Sequence, residues 1–376
     1  MTPEDRRQSM VAALVKTGRL TPTWRPAFEQ VARHLFIPDT IWRLDRAADG
    51  RLLPLHRGTD PEHWLECAYA DAPVDTQVDD GQPADDGTGF EVTSSASQPS
   101  VVADMLAALD AQPGLRVLEI GTATGWNAAL LAHRVGAENV TSIEIDPAIA
   151  EQARIALGRA GFGTVTVHTG DGAEGDRDGG PYHRVIATVG VSAVPYSWIA
   201  QTVPGGRVVV PLTNTYQPPG IVALTVHNDG TASGRLATPA AFMALRAQRI
   251  PRPHADFIGE PEHTCQTQLH PWRLVGDRNA ATAIGQRLGD GIHTHYEETE
   301  NTGVEWLLDP TTRSWASIEV APQPPYEVSQ GGPRQLFDEV AGAYQWWCDA
   351  GEPVVGTWLV TVGPAGQHIE LKPAEA

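Results

Sequence analysis

The stretch Arg116-Val117-Leu118-Glu119-Ile120-Gly121-Thr122-Ala123-Thr124-Gly125-Trp126 decides the fold. Residues 116–120 read as a short buried strand, and the two glycines mark the turn that leaves it. Residues 127–134 then read as a helix, with Ala128, Leu131, Ala132 and Val135 on one side. A strand, a glycine turn and a helix form the opening unit of a nucleotide-binding α/β sheet. The turn lets a ligand approach bare backbone, and the helix start offers free N–H groups. A dinucleotide loop wants glycine where Ala123 stands, because there the backbone must touch pyrophosphate; this is a poor pyrophosphate loop.

Two later segments extend the unit. Residues 140–145 read as a second strand ending in Glu144, 23 residues after Gly121, about where an acidic side chain meets ribose hydroxyls. The structural alternative is a helix cap, and Asp146 ahead of Pro147 fits an N-cap well. Residues 165–169 read as a third strand, followed by Gly170-Asp171-Gly172. That carboxylate is placed to accept from an adenine amino group, or serves only as a turn residue. Three such loops at the carboxyl ends of strands in one βαβαβ unit favour a cofactor crevice.

The 376 residues are 41% hydrophobic, enough for two domains and a sizeable core. No apolar run reaches the length of a membrane span, and Met1-Thr2-Pro3-Glu4-Asp5 lacks the basic start of a signal peptide. Cys67, Cys265 and Cys348 are few, odd in number and far apart. They suit a reducing cytoplasm and show no metal-ligand spacing. A formal net charge of −19 repels nucleic-acid phosphates. The same charge disfavours acidic peptides relative to neutral or basic ones.

Residues 6–17 and 26–36 read as helices, the second ending at Pro38. Residues 39–91 carry 13 acidic residues against four arginines, and their end, residues 79–87, reads as a mobile acidic surface loop without a calcium-loop spacing. Thr93-Ser94-Ser95-Ala96-Ser97-Gln98-Pro99 opens a helix with Val102, Met105, Leu106 and Leu109 inward. Its hydroxyls either cap that helix or bind a carboxylate at its N-terminus. Residues 221–226 and 232–236 flank Asn228-Asp229-Gly230, a hairpin expected at the antiparallel edge of the sheet. Pro251-Arg252-Pro253-His254 reads as a boundary. Beyond it a hairpin around residues 309–312, a helix over 333–350 and a strand pair around 363–366 make a small α+β unit. It holds six of the eleven tryptophans, which are either its core or a peptide-binding aromatic surface.

An acidic residue followed by Gly-x-x-x-Gly resembles the first motif of S-adenosylmethionine-dependent methyltransferases. Ser95-Ala96-Ser97-Gln98-Pro99 and Tyr69-Ala70-Asp71 resemble the substrate motifs of protein-L-isoaspartate O-methyltransferases. Residues 117–126, Gly170-Asp171-Gly172, Val194-Pro195 and residues 201–211 continue the likeness in order, over about residues 5–245. The resemblance implies a Rossmann-like class I methyltransferase sheet of the α/β class, with S-adenosylmethionine as cofactor. By position it implies that Ser97 contacts the acceptor carboxylate, helped by Ser95 and Gln98. It also implies that Glu119, Gly121, Thr122, Ala123, Gly125, Glu144, Asp171 and Gly172 line the cofactor site. The chain departs from the pattern at His183, which replaces an aspartate, at Thr188-Val189-Gly190-Val191, which replaces an alanine-rich loop, and at Ala123, which replaces a common glycine. His183 reads as a surface or supporting histidine rather than a base.

The expected division is residues 1–92 as a helical and acidic N-terminal extension, 93–246 as the methyltransferase domain, and 247–376 as an α+β peptide-binding domain. The added domain resembles that of actinobacterial relatives acting in the maturation of ribosomally made peptides. That likeness implies methylation of an ordinary aspartate in a macrocyclic precursor, the ester then closing to a succinimide (aspartimide). Isoaspartate repair and non-catalytic peptide binding are the alternatives. The expected partner is a peptide or protein, with neither nucleic acid nor membrane.

Overall fold

The computed structural model describes residues 1–47, 49–250, 256–298 and 303–372. Its frame is a nine-stranded sheet. Val117–Ile120, Val140–Glu144 and Thr166–Thr169 step outward in parallel, and Tyr182–Ala187 returns to pair with the other side of Val117–Ile120. The strand order therefore reverses beside Gly121, where open α/β sheets place ligands. Thr202–Leu212 continues in parallel, and Gly220–Val226 and Ala232–Arg235 follow as the expected antiparallel hairpin. The central strand is buried at every residue, as a strand covered by helices on both faces must be. Trp126–Val135 and Pro147–Arg159 supply such helices, the second capped by Asp146, which accepts from the N–H groups of Ala148 and Ile149.

The chain's two ends depart from the expected division. The hairpin is not the sheet's edge: Trp358–Gly363 pairs with Ala232–Arg235 and Gly366–Leu371 closes the sheet outside it. A second, five-stranded antiparallel sheet, with the helices Arg278–Leu288 and Leu336–Asp349, packs on the same core. Leu212, Tyr216, Ile284, Leu307, Trp347 and Trp358 belong to one buried cluster. The C-terminal third therefore completes the main sheet and shares its core. Its tryptophans are mainly core: Trp315, Trp347 and Trp358 are buried, Trp306 and Trp346 half-buried, and Trp272 is exposed. Of the two alternatives the packing matches the core, with Trp272 as the exposed exception among the six. The boundary read at Pro251-Arg252-Pro253-His254 lies outside the described residues.

At the other end, Pro3–Lys16 and Arg25–Gln30 are helices, but the second stops at Gln30 and gives a tight turn at Arg33–Leu35. Residues 40–96 then build a four-stranded antiparallel sheet rather than a helical extension. Its strands are Leu52–His56, Thr40–Arg46, Val74–Val78 and Val92–Ala96 in spatial order, so a boundary at residue 92 cuts a strand. Nor is the acidic stretch a loose loop. Asp79 accepts from the N–H groups of Phe90 and Glu91, and Asp80 pairs with Arg246 and Arg249.

Candidate active site

A crevice opens at the carboxyl ends of the parallel strands. Gly121, Ala123, Glu144, Ile145 and Gly172 form one wall; Ser94, Ser95 and Ser97 face them from the four-stranded sheet. Thr188 and Val189, and the segment from Met243 to Arg249, close the remaining sides. The crevice has a volume of about 80 Å³. It adjoins an open groove of about 430 Å³ lined by His34, Arg57, Ile155 and Arg159, and the two share Ser94, Ala123 and Ile149. The groove by itself is on the scale of small-molecule sites, roughly 300–1,000 Å³.

The wall expected to hold the cofactor is made mostly of backbone. Gly121 has φ 90°, and a Cβ there would come within 2.9 Å of both Thr188 Oγ1 and Val189 Cγ1, so only glycine fits. Glu144 is buried, and each oxygen already accepts one backbone N–H, from Ala123 at 2.9 Å and from Asp146 at 3.1 Å. Each retains a lone pair for a hydroxyl. Burial raises its pKa, and those two N–H bonds pull it back. An acid held this way fits the paired hydroxyls of a ribose, and a glycine loop without a pyrophosphate cradle fits S-adenosylmethionine.

Four expected ligands stand behind or beside this wall. Glu119 is wholly buried and does not reach the crevice. It accepts from Asn127 Nδ2 at 2.7 Å and from the Ser142 hydroxyl, and burial pushes its pKa up to about 7. Its place is under the glycine turn, tying strand to helix. Thr122 is buried too, its hydroxyl against Ser142 at 2.6 Å. Gly125 begins the Trp126–Val135 helix at φ 86°, against Ala153 and Leu157. Asp171 is exposed and accepts from Ala173 N–H, which is its turn role; it stands next to the lining residue Gly172.

The wall expected to hold the acceptor is assembled from distant pieces. Ser95 and Ser97 line the crevice, while Gln98 is the N-cap of Pro99–Leu109 and makes no capping bond with its side chain. The hydroxyls before the helix do not cap it either. Asp71 does, accepting from Ser100 N–H at 2.8 Å, so the Ser97 hydroxyl is left for a ligand. The residue that sequence reading missed is Arg33. It is fully buried, and its guanidinium donates to the carbonyls of Ala68, Ala70, Ala72, Ala96 and Ser97 at 2.9–3.4 Å. One cation thus staples the Tyr69–Asp71 segment to the serine segment. It lies 5.2 Å from the Trp126 ring centre. Burial lowers its pKa to about 10, with Asp71 acting in the opposite sense. The signal was an arginine inside the apolar run 31–37. His183 accepts from Arg116 N–H at the amino end of the sheet and is not among the residues lining the crevice.

Residues 56–249, just over half of the chain, match the family model described as protein-L-isoaspartate(D-aspartate) O-methyltransferase. Protein-L-isoaspartate O-methyltransferase 2 of Polaromonas sp. (strain JS666 / ATCC BAA-500) is 31% identical over 247 residues, 64% of this chain and 98% of its own length. The protein-L-isoaspartate O-methyltransferase of Anaeromyxobacter dehalogenans (strain 2CP-C) is 36% identical over 208 residues, 55% of this chain and 87% of that one. A solved protein-L-isoaspartate O-methyltransferase superposes with a TM-score of 0.55 at 21% identity, covering 98% of this chain and all of that one, which speaks to the shared fold.

Proposed function

The chain belongs to the protein-L-isoaspartate(D-aspartate) O-methyltransferase family, and we propose that it methylates the free carboxylate of an isoaspartyl residue in a peptide or protein. It is a carboxyl O-methyltransferase that uses S-adenosylmethionine. The observation that carries the proposal is that Ser95 and Ser97 share one crevice with Gly121, Ala123 and Glu144. The cofactor supplies an electrophilic methyl group. An ionised carboxylate is nucleophile enough for it, so the chain's own work is to bind, align and keep out water. Glu144 accepts from the ribose hydroxyls. The Ser97 hydroxyl donates to the acceptor carboxylate and fixes which oxygen faces the methyl group. No side chain has to remove a proton.

Ser97→Ala tests this assignment. Turnover of an isoaspartyl peptide should fall about tenfold, as expected for one lost hydrogen bond to a charged group. Calorimetric affinity for S-adenosylhomocysteine should be unchanged. Full activity at limiting and saturating peptide would reduce Ser97 to part of the wall.

The second reading is an ordinary aspartate in a macrocyclic peptide. It is favoured by the acidic segment that Asp80 ties to Arg246 and Arg249, two residues lining the crevice, an addition that a small constrained substrate accounts for better than the surface of a whole protein. A macrocycle also holds the ester against the next backbone amide, whose nitrogen displaces methanol to give a succinimide. Mass spectrometry separates the two. Methylation adds about 14 Da, and completed closure leaves the peptide about 18 Da lighter than the start. Turnover on linear isoaspartyl peptides, with none on cyclic aspartyl ones, sustains the first reading; the reverse result establishes the second.

A further inference from the structure

Two arginines of the crevice have no part in the chemistry above. Arg246 and Arg249 line it together with Ser95 and Ser97, and both are held by a single carboxylate of the acidic segment. Asp80 accepts from Arg249 at 2.8 and 3.2 Å through both of its oxygens, and from Arg246 at 3.1 Å. Among the described residues, Arg246 also keeps a buried Nε–H without a partner.

The two sides of this clamp are built differently. The arginine side is bolted down. Leu245 N–H donates to the Gly190 carbonyl. The Gln248 side chain accepts from the N–H groups of Ser192 and Ala193 and donates to the Ala193 carbonyl. The Asp80 side is a short turn, Asp79–Gly81, on which Asp79 and Asp80 have φ of 49° and 51°. Left-handed backbone is unfavourable for residues with a side chain, and two in succession persist only where the surroundings hold them. Here the Asp79 bonds to Phe90 and Glu91 do so, and they present the Asp80 carboxylate to the arginines.

We propose that Arg246 and Arg249 form a carboxylate-binding subsite for the acceptor peptide, and that Asp80 fills it in the free enzyme. This rests on the reading of the crevice as a peptide carboxyl methyltransferase site. The carboxylate it takes is not the one that is methylated. Esterification removes that group's charge, so an arginine clamp would hold the ground state more tightly than the transition state and slow the reaction. A neighbouring acidic residue, or the peptide's terminal carboxylate, keeps its charge throughout. The chain's charge of −19 repels acidic peptides at a distance, so a local cationic pair is what admits them in one register.

The test uses the full-length enzyme with S-adenosylhomocysteine bound, and calorimetry on C-terminally amidated isoaspartyl and cyclic aspartyl peptides. Each carries Glu or Gln beside the acceptor, and a free-acid Gln peptide isolates the terminal carboxylate. The Glu peptide should bind about fivefold to tenfold tighter than its Gln twin, as a charge-assisted pair in competition with Asp80 gives. If the free-acid Gln peptide matches it, the terminal carboxylate is the ligand. Asp80→Asn should tighten the Glu peptide by about another fivefold and leave the amidated Gln twin unchanged. Arg246→Gln/Arg249→Gln, or Arg249→Gln alone if the pair is unstable, should erase the preference. Equal affinities in the wild type and in Asp80→Asn would overturn the proposal, as would a preference that survives arginine replacement. Methyl transfer to the same peptides separates this from the parent reading. Twins methylated and bound alike sink the subsite alone; twins bound differently but never methylated sink the parent reading alone.

Discussion

The two walls of the crevice are built on opposite plans. The cofactor wall comes from one run, residues 117–172, in which each strand, turn and helix follows directly on the last. The opposite side gathers residues 93–97 and 243–249, and its serine segment depends on one buried guanidinium, Arg33, that ties it to the Tyr69–Asp71 segment behind. A wall made of local turns and backbone N–H groups tolerates side-chain change. A wall stapled by one side chain does not. The walls meet at Trp126, whose ring packs edge-on against Phe28 at 5.4 Å and lies beside Arg33.

The largest effect is therefore expected at Arg33. Arg33→Leu leaves five carbonyls without their donor inside the protein. Removing one side of a buried charged network costs about 3–5 kcal/mol. Thermal unfolding should show a drop of that size, with loss of peptide methylation. Arg33→Lys keeps a charge but cannot span both segments. It should retain most of its S-adenosylhomocysteine affinity while losing peptide turnover at least tenfold. If cofactor affinity collapses equally in Arg33→Lys, the walls are not separable and the comparison fails.

Next comes Glu144, the one side chain on which the cofactor wall depends. Glu144→Gln removes charge-assisted acceptors worth about 1.5–3 kcal/mol. Calorimetric affinity for S-adenosylhomocysteine should fall by at least tenfold with the fold intact. An unchanged affinity would remove Glu144 from the ribose site.

This asymmetry also explains what was legible in the sequence. Gly121, Glu144 and Gly172 announced themselves because their spacing is local and the parallel sheet fixes where such loops meet. Glu119 was misplaced for the same reason: sequence puts it one residue from the turn, but strand alternation turns its side chain away from the crevice and into the core. Ser95 and Ser97 were visible as hydroxyls before a helix. The helix's real cap, Asp71, lies 29 residues before the Ser100 N–H that it accepts from and was not. Arg33, Arg246 and Arg249 had no local pattern, since each acts on groups more than 30 residues distant. The acidic residues 79–87 looked loose by composition. Composition does not register that Asp79 caps its own hairpin or that Asp80 has cationic partners elsewhere.

A pH effect sharpens the contrast further. Asp75 pairs in register with Ser95 on the acceptor wall, is 6% exposed, and burial raises its pKa to about 6, with Arg46 pulling weakly downward. A carboxyl whose folded pKa lies above its unfolded value binds protons more tightly when folded. It therefore destabilises the fold as pH rises through about 4 to 6, and by a constant amount above that. Asp75→Asn should match the wild type near pH 4 and exceed it by about 1–2 kcal/mol at pH 8, after allowance for residual solvation. A gain already present at pH 4 would mean that ionisation is not its cause.

The smallest effect is expected at Ala123, and it asks whether the cofactor wall uses any side chain besides Glu144. Ala123 holds φ 45°, a left-handed conformation that costs a residue with a Cβ about 1–2 kcal/mol. Its N–H donates to Glu144, and its methyl group faces both the crevice and the groove. Ala123→Gly relieves the strain but adds freedom to the unfolded chain, which returns about 0.5–1 kcal/mol. The net change in stability should be a gain below about 1 kcal/mol, read from denaturant midpoints at constant slope. The N–H that steadies Glu144 survives the substitution. Cofactor affinity should therefore stay within about threefold of wild type, the scatter of a lost methyl contact. A loss beyond tenfold would show that the Ala123 methyl is itself a contact, and that this wall depends on a side chain where the acceptor wall depends on Arg33.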